Sequence, residues 1–381
     1  DILVATVAPL VFGAAWGDWL YRGLVLLVIG CPCALVISTP VSIVASLAAA
    51  ARNGVLVKGG VHIETPSKLK AVALDKTGTL TEGKPAVVAV EPMNGHTESE
   101  LLERIGAMEA HSDHPLARAI VDYVATRGIT AMPATDFQTV QGKGATARFN
   151  GKPYWLGSHR YLEDRGQETP EVHDRIVEMS RSGKTVVVVG NDQHVCGFIT
   201  LADKVRPEAH DSVQRLHRAG IAHVIMLTGD NQPTAEAIAA QTGVDEIRAE
   251  LLPADKVSAV EELVRRYGSV AMIGDGINDA PAMGRASLGI AMGAAGSDAA
   301  IEAGDVALMS DDLSKLPWLI SHSHLTMTII RQNIVLSLGV KGVFVILTLL
   351  GHASLWAAIA ADMGVSLVVI ANALRLLRSR A

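Results

Sequence analysis

Ala71–Pro85 reads AVALDKTGTLTEGKP. Its first four residues form an unbroken apolar run, the pattern of a strand buried on both faces of a parallel sheet. Asp75 ends the run, and the small residues Thr77, Gly78 and Thr79 follow it. Open α/β sheets present their reactive groups outside the carboxyl ends of the strands. A carboxylate in that place is able to attack phosphorus as a nucleophile. Taken alone, Asp75 reads equally well as a strand-ending residue in a turn.

Three later stretches decide between the two readings. MLTGDN (226–231) puts Thr228 after a second apolar strand, with a hydroxyl and backbone amides for a phosphoryl oxygen. LLPADK (251–256) supplies Lys256, a point charge for the negative charge that develops in transfer. MIGDGINDAP (272–281) supplies Asp275 and Asp279 after a third strand, with glycines that let backbone approach a metal and a phosphate. Mg²⁺ takes one or two carboxylates plus phosphate oxygens and water, so Asp75 and Asp275 suffice for it. Apolar stretches such as LKAVAL, HVIML, SVAMI and LGIAM alternate with helical ones such as DKVSAVEELVRRYG, which predicts an α/β fold with a mostly parallel sheet. The stretch from about Lys84 to Phe198 breaks the rhythm. It is expected to open with helices and to close with the strands TVVVVG and HVCGFIT, as a separate α+β insertion.

Composition sets the wider frame. The chain has 381 residues, 49% of them hydrophobic and only 19% charged, and its mean hydropathy is +0.30. Disorder and fibres are excluded, and a purely soluble enzyme fits poorly. A net charge of -6 argues against a nucleic-acid partner, which needs a basic face. The apolar residues gather at the two ends. Ile2–Gly17, Leu24–Ala51, Gln332–Leu350 and Ser354–Leu374 are four candidate membrane spans, with WGDWLY and GHAS as the short outer loops. Arg52, Lys58, Arg331, Arg375, Arg378 and Arg380 flank the other ends, which places the large central region in the cytoplasm. Residues 1–51 thus hold two spans, 52–84 and 199–331 the sheet domain, 85–198 the insertion, 332–374 two more spans and 375–381 a tail. The abrupt apolar start predicts a chain that continues upstream.

Within the second span Cys31-Pro32-Cys33 breaks the helix, freeing carbonyls and two sulfurs to face a cavity. Two buried cysteines beside a proline kink is the plainer reading. Lys341 and Asp362, each near the middle of its own span, tip the balance, because ionised groups there are costly unless paired or solvated. Two thiolates and a carboxylate suit Zn²⁺, Cd²⁺ or Pb²⁺, and Lys341 is a counter-charge for Asp362 once the metal has left.

DKTGTLT with GDGINDAP resembles the haloacid-dehalogenase-like phosphotransferases and, among them, the P-type ATPases. CPC, then Asn333 with Lys341, then Asp362-Met363-Gly364 resembles the zinc, cadmium and lead exporters of that family. The resemblance implies a Rossmann-like phosphorylation domain with an inserted nucleotide-binding domain and four transmembrane helices. It implies ATP and Mg²⁺ as cofactors, with Asp75, Thr77 and Asp275 around Mg²⁺. It also implies the lipid bilayer and soft divalent ions as partners, a monomer, and a bacterial inner (plasma) membrane location. Ordinary phosphatases of the superfamily carry an acid two positions after the nucleophile. Thr77 stands there and is no general base, so an aspartyl phosphate is expected to persist. Glu109, His114 and Pro115 match the family's adenine contacts, and Gly142 and Gly144 its glycine pair under the nucleotide. No Thr-Gly-Glu actuator loop occurs in the sequence. A membrane-anchored phosphatase, a copper exporter and a metal sensor without catalysis are the alternatives. SGKT (182–185) is no P-loop, since Glu178 stands where its first glycine belongs. His322 and His324 are expected on a solvated helix face, Cys196 in a core, and Asp203 and Arg206 in a structural hinge.

Overall fold

The computed structural model describes residues 16–112, 114–130, 134–140, 143–180, 183–275, 279–293 and 302–378, the side chain of Pro115 excepted. The chain divides into two compact units, residues 69–317 and residues 1–68 with 318–381.

In the first unit a parallel sheet runs in the order Val306–Leu308, Leu288–Ala291, Val270–Gly274, Ala71–Asp75, His223–Leu227, Glu246–Arg248. Every residue of Ala71–Asp75 and Val270–Gly274 is buried, as continuous apolar strands of a covered sheet must be. After Ala71–Asp75 the chain adds two strands on one side and three on the other. The order therefore reverses at Asp75, where such sheets open a crevice. The helix Pro253–Tyr267 starts with Pro in its first turn, and Asp255 accepts from the Leu252 N–H at 3.0 Å.

The insertion is an antiparallel sheet ordered Ala86–Pro92, Val195–Ala202, Thr185–Asn191, Lys152–Gly157, Gly144–Phe149, Thr135–Val140. It opens with a strand where helices were expected. AVVAVEP (86–92) is a short apolar run with β-branched Val87, Val88 and Val90 but no alternation, and it sits at the sheet edge, partly exposed. One face packs on Leu101, Ile105, Met108 and Ile120; the other packs Trp155, Leu162, Ile176 and Phe198. Cys196 is fully buried in the first of these layers. Lys184 is followed by the strand Thr185–Asn191, not by a P-loop helix.

The second unit holds the helices Trp16–Gly30, Cys33–Arg52, Lys315–Leu349 and Leu355–Ala373. Among the described residues three stretches are long and apolar enough to cross a membrane: Trp16–Arg52, Lys315–Leu349 and Leu355–Arg378. Leu20, Val36, Val44, Val335 and Leu367 are all more than half exposed, an apolar exterior suited to lipid. The first expected span, Ile2–Gly17, lies almost wholly outside the described residues. WGDWLY is not a loop but the first turns of Trp16–Gly30, where Tyr21 Oη accepts from the Leu355 N–H at 2.8 Å. The third span starts 17 residues earlier than the hydropathy indicated, so Arg331 lies inside a helix and not ahead of one. Hydropathy sees only the apolar window, whereas the backbone hydrogen bonds continue through a polar helical extension.

Candidate functional site

Asp75 is the last residue of the central strand and its N-cap-like φ/ψ (−65°, 154°) turns the chain into Lys76–Leu80. Gly78 has φ +74°, a left-handed conformation that favours glycine and reverses the loop over the sheet end. A Cβ on Gly78 would lie 3.7 Å from the Asp275 Cβ, which places Asp275 directly against this loop. Asp75, only 6% exposed, shares Lys256 with Asp279: Lys256 Nζ donates to Asp75 Oδ1 at 2.6 Å and to Asp279 Oδ1 at 2.8 Å. Asp279 approaches so closely that a Cβ on Gly274 would meet its Oδ2 at 2.4 Å, so only glycine fits at 274. Thr228 is buried next to the strand end that pairs with Asp75, its hydroxyl accepting from the Asp230 N–H at 3.1 Å. Thr77 is half-buried within the loop.

Burial pushes the Asp75 carboxyl above its ordinary value; Lys256 opposes this, and Asp279 and Asp275 add to it. Burial works against the Lys256 ammonium too, yet Asp75 and Asp279 outweigh it and hold that group well above the usual lysine value. Two carboxylates thus share one ammonium, and a third, Asp275, adds its charge at Asp75. That excess of hard oxygen donors fits Mg²⁺.

The structure adds the pair Lys76 and Asp230, which sequence reading passed over, and gives the expected hinge residues Asp203 and Arg206 their partners. Lys76 Nζ donates to Asp230 Oδ2 at 2.5 Å, both largely buried, and Thr185 Oγ1 of the insertion lies 3.4 Å from the same carboxylate. Arg206 clamps the loop by two of its carbonyls, Nε to Thr79 O at 3.0 Å and Nη2 to Gly78 O at 3.1 Å, and ties it to Asp311 O through Nη1 at 2.7 Å. Asp203 accepts from Thr81 Oγ1 at 2.5 Å and from the Lys84 N–H at 3.1 Å. The sequence signal was the charge pattern of ADKVRPEA, whose partners lie more than 100 residues away.

Of the nucleotide candidates, Glu109 ends the helix Glu98–Glu109, 9% exposed, and burial pushes its carboxyl up to about 7. His114 caps the helix Pro115–Thr126, its Nδ1 accepting from the Leu116 N–H at 3.2 Å. A Cβ on Gly144 would overlap Leu156 O at 2.0 Å, so strand packing by itself demands glycine there. Gly142 lies outside the described residues.

In the second unit Pro32 separates Trp16–Gly30 from Cys33–Arg52. Lys341 Nζ donates to Ile29 O at 3.0 Å and to Cys31 O, and stands 3.6 Å from Asp362 Oδ1. Lys341, Asp362 and Ser337 line a small cavity beside Ile29. Cys31 and Cys33 are joined as a disulfide, so the two thiolate ligands expected from the sequence exist only in the reduced chain. His322 is not solvated: it is 1% exposed, stacks on Trp318 with ring centroids 4.8 Å apart and meets Ser46 Oγ at 2.9 Å. Its helix turns that face toward the serine stripe Ser38, Ser42, Ser46, all fully buried, while His324 remains exposed.

Residues 69–287 match the haloacid dehalogenase-like hydrolase family. Over 381 residues, 99% of this chain and 52% of the relative, the sequence is 46% identical to the probable cadmium-transporting ATPase of Staphylococcus aureus (strain MRSA252). It is also 46% identical to the zinc/cadmium/lead-transporting P-type ATPase of Escherichia coli (strain K12), over 100% of this chain and 50% of that protein. The fold superposes on the crystal structure of a zinc-transporting PIB-type ATPase in the E2.Pi state with a TM-score of 0.72 and 45% identity, covering 99% of this chain and 61% of that one. The chain spans about half the length of the curated relatives it matches.

Proposed function

The chain belongs to the haloacid dehalogenase-like hydrolase family, and from that premise we propose that it carries the phosphoryl-transfer and metal-site residues of an ATP-driven exporter of soft divalent metals. The observation that carries this reading is Lys256 bridging Asp75 and Asp279 at the strand ends, with Asp275 against the same loop. Lys256 engages Oδ1 of Asp75, which leaves the other carboxylate oxygen to attack the γ-phosphorus of ATP. A P–O bond forms to Asp75, the β–γ bridge bond breaks, and ADP leaves with the electron pair. Mg²⁺, held by Asp75, Asp275 and the Thr77 position, would supply charge neutralisation on the transferring phosphoryl group. Thr228 offers its hydroxyl and backbone to a phosphoryl oxygen, and Lys256 balances the charge that builds up. Glu109 and His114-Pro115, with Gly142 and Gly144, hold the nucleotide. Thr77 cannot activate water, so the aspartyl phosphate lasts long enough to drive a conformational step.

The membrane residues supply the cargo site. Reduced Cys31 and Cys33 with Asp362 bind Zn²⁺, Cd²⁺ or Pb²⁺, and Lys341, already 3.6 Å from Asp362, takes over the carboxylate when the ion departs. A phosphatase with mere anchors has no use for an ion pair inside its spans. The basic residues flanking the spans put the catalytic unit on the cytoplasmic side, and the relatives named above are bacterial, which supports a plasma-membrane location.

With radiolabelled ATP and Mg²⁺ the chain is expected to form an acid-stable, hydroxylamine-labile phosphoenzyme that Asp75→Asn abolishes. A label that survives Asp75→Asn overturns the assignment. In the longer protein carrying this sequence, Zn²⁺, Cd²⁺ or Pb²⁺ is expected to stimulate ATP hydrolysis; stimulation by Cu⁺ alone overturns the choice of cargo.

A further inference from the structure

Away from the phosphoryl-transfer residues, two loops at one edge of the inserted sheet bring three metal-ligating side chains together. Met93 N–H donates to Cys196 O at 2.8 Å, and the chain then turns through Asn94 and Gly95 in left-handed backbone (φ 51° and 82°). Asn94 Nδ2 donates to Val195 O at 2.8 Å, which fixes that turn against the facing strand and delivers His96 just ahead of the helix Glu98–Glu109. On the facing hairpin Asn191 Oδ1 accepts from the Gln193 and His194 N–H groups at 2.8 and 2.9 Å. His194 and Cys196, two apart in extended chain, project to the same side. His96 Nε2 and His194 Nε2 come to 3.1 Å of each other, and Cys196 Sγ lies within 4.8 Å of a ring nitrogen of each histidine.

We propose that His96, His194 and Cys196 bind a borderline-soft divalent cation of the Zn²⁺ or Cd²⁺ type, at a site in the insertion separate from the Cys31–Asp362 region. Two imidazoles and a thiolate are a donor set that zinc accepts, with a fourth position left for water. Tetrahedral zinc with its usual bond lengths needs its nitrogens about 3.3 Å apart and each about 3.5 Å from the sulfur. The nitrogen pair already meets that within a few tenths of an ångström. Glu100 Oε2 stands 3.4 Å from Nδ1 of His96, the carboxylate–imidazole arrangement that leaves Nε2 to a metal. Glu100 is itself held in a capping box, its Oε2 accepting from the Thr97 N–H at 3.1 Å. Arg104, 3.3 Å from the same Nδ1, opposes a cation, and Glu100 at 3.9 Å offsets its charge. Asn191 Nδ2, 3.5 Å from His194 Nε2, turns away when that nitrogen takes a metal. Coordination converts the Cys196 thiol to a thiolate and releases one proton to solvent.

The chain has three cysteines, so Cys31→Ser with Cys33→Ser leaves Cys196 as its sole thiol. Titrated anaerobically with Co²⁺, that full chain is expected to bind one equivalent with a thiolate-to-cobalt charge-transfer band, which Zn²⁺ then erases. Adding Cys196→Ser removes the band. Adding His96→Gln and His194→Gln, on side chains outside the buried layer, lowers Co²⁺ affinity on the order of tenfold or more while circular dichroism stays unchanged. No charge-transfer band in the Cys196-only chain overturns the site, as does a band of undiminished affinity in the double histidine variant. The titration contains no nucleotide and lacks the membrane thiols, so its failure leaves the proposed export function standing.

Discussion

Glu109 is a carboxyl whose burial alone raises it to about 7. A raised carboxylate pKa penalises the folded state when the group ionises, so the chain loses stability as pH climbs from about 4.5 to about 7. Glu109→Gln removes that penalty. Its unfolding free energy is expected to exceed that of the parent by up to about 3 kcal/mol at pH 8 and to approach it near pH 5. Denaturant titrations at the two pH values check this, and an equal gain at both means that Glu109 does not titrate there. Asp75, Lys256 and Asp279 form a different kind of cluster, in which the charges compensate one another across strand ends. Each of these residues was recognisable in the sequence because a short motif surrounds it. Lys76 with Asp230 was not, since their 154-residue separation hides a contact that only the parallel register creates.

The loop Lys76–Leu80 is the element on which the proposed phosphoryl transfer depends, and Arg206 holds it through the carbonyls of Gly78 and Thr79. Arg206→Lys cannot reach three carbonyls with one ammonium, and misplacing a nucleophile by an ångström costs up to about a hundredfold. Phosphoenzyme formation is therefore expected to slow by at least ~10-fold in Arg206→Lys, with nucleotide affinity unchanged; single-turnover labelling and a nucleotide titration separate the two. A loss of both means that the fold has failed instead. The helix break at Pro32 is the corresponding element in the second unit. Pro32→Ala allows the helix to continue and withdraws the carbonyls of Ile29 and Cys31 from Lys341. Zn²⁺ binding by the reduced chain is expected to weaken at least ~10-fold in that variant, as read by competition with a chromophoric chelator. Both breaks, at Pro32 and at Gly78, are written in the residues themselves. The edge strand Ala86–Pro92 was not, because a short apolar run without alternation reads equally as strand or helix.

At the scale of the whole molecule, charge and apolar surface are separated between two units. The Asp75–Lys256–Asp279 cluster lies in residues 69–317, and the Cys31–Asp362 region in the other unit. Oxidation of Cys31 and Cys33 removes thiolate ligands without touching any residue around Asp75. Metal binding at those cysteines is therefore expected to require reductant, while affinity for a non-hydrolysable ATP analogue stays the same with and without it. Calorimetric titration of the oxidised and reduced chain, each carrying Cys196→Ser so that Cys31 and Cys33 are its only cysteines, measures both; metal binding of equal affinity in the two counts against thiolate ligation.

By itself the sequence determined where the apolar runs lie, which strand ends in a carboxylate, and which charges stand inside the apolar runs, since each of these is a local property of residue type and spacing. Only the tertiary structure decided who meets whom. It brought Lys256 onto two aspartates, Arg206 onto the loop carbonyls, Lys341 beside Asp362, and His96 opposite His194 and Cys196. It also turned His322 inward, where sequence reading had placed it in solvent. The reason is that one helical turn or one strand register sets which way a side chain points, and only packing against distant elements selects the register.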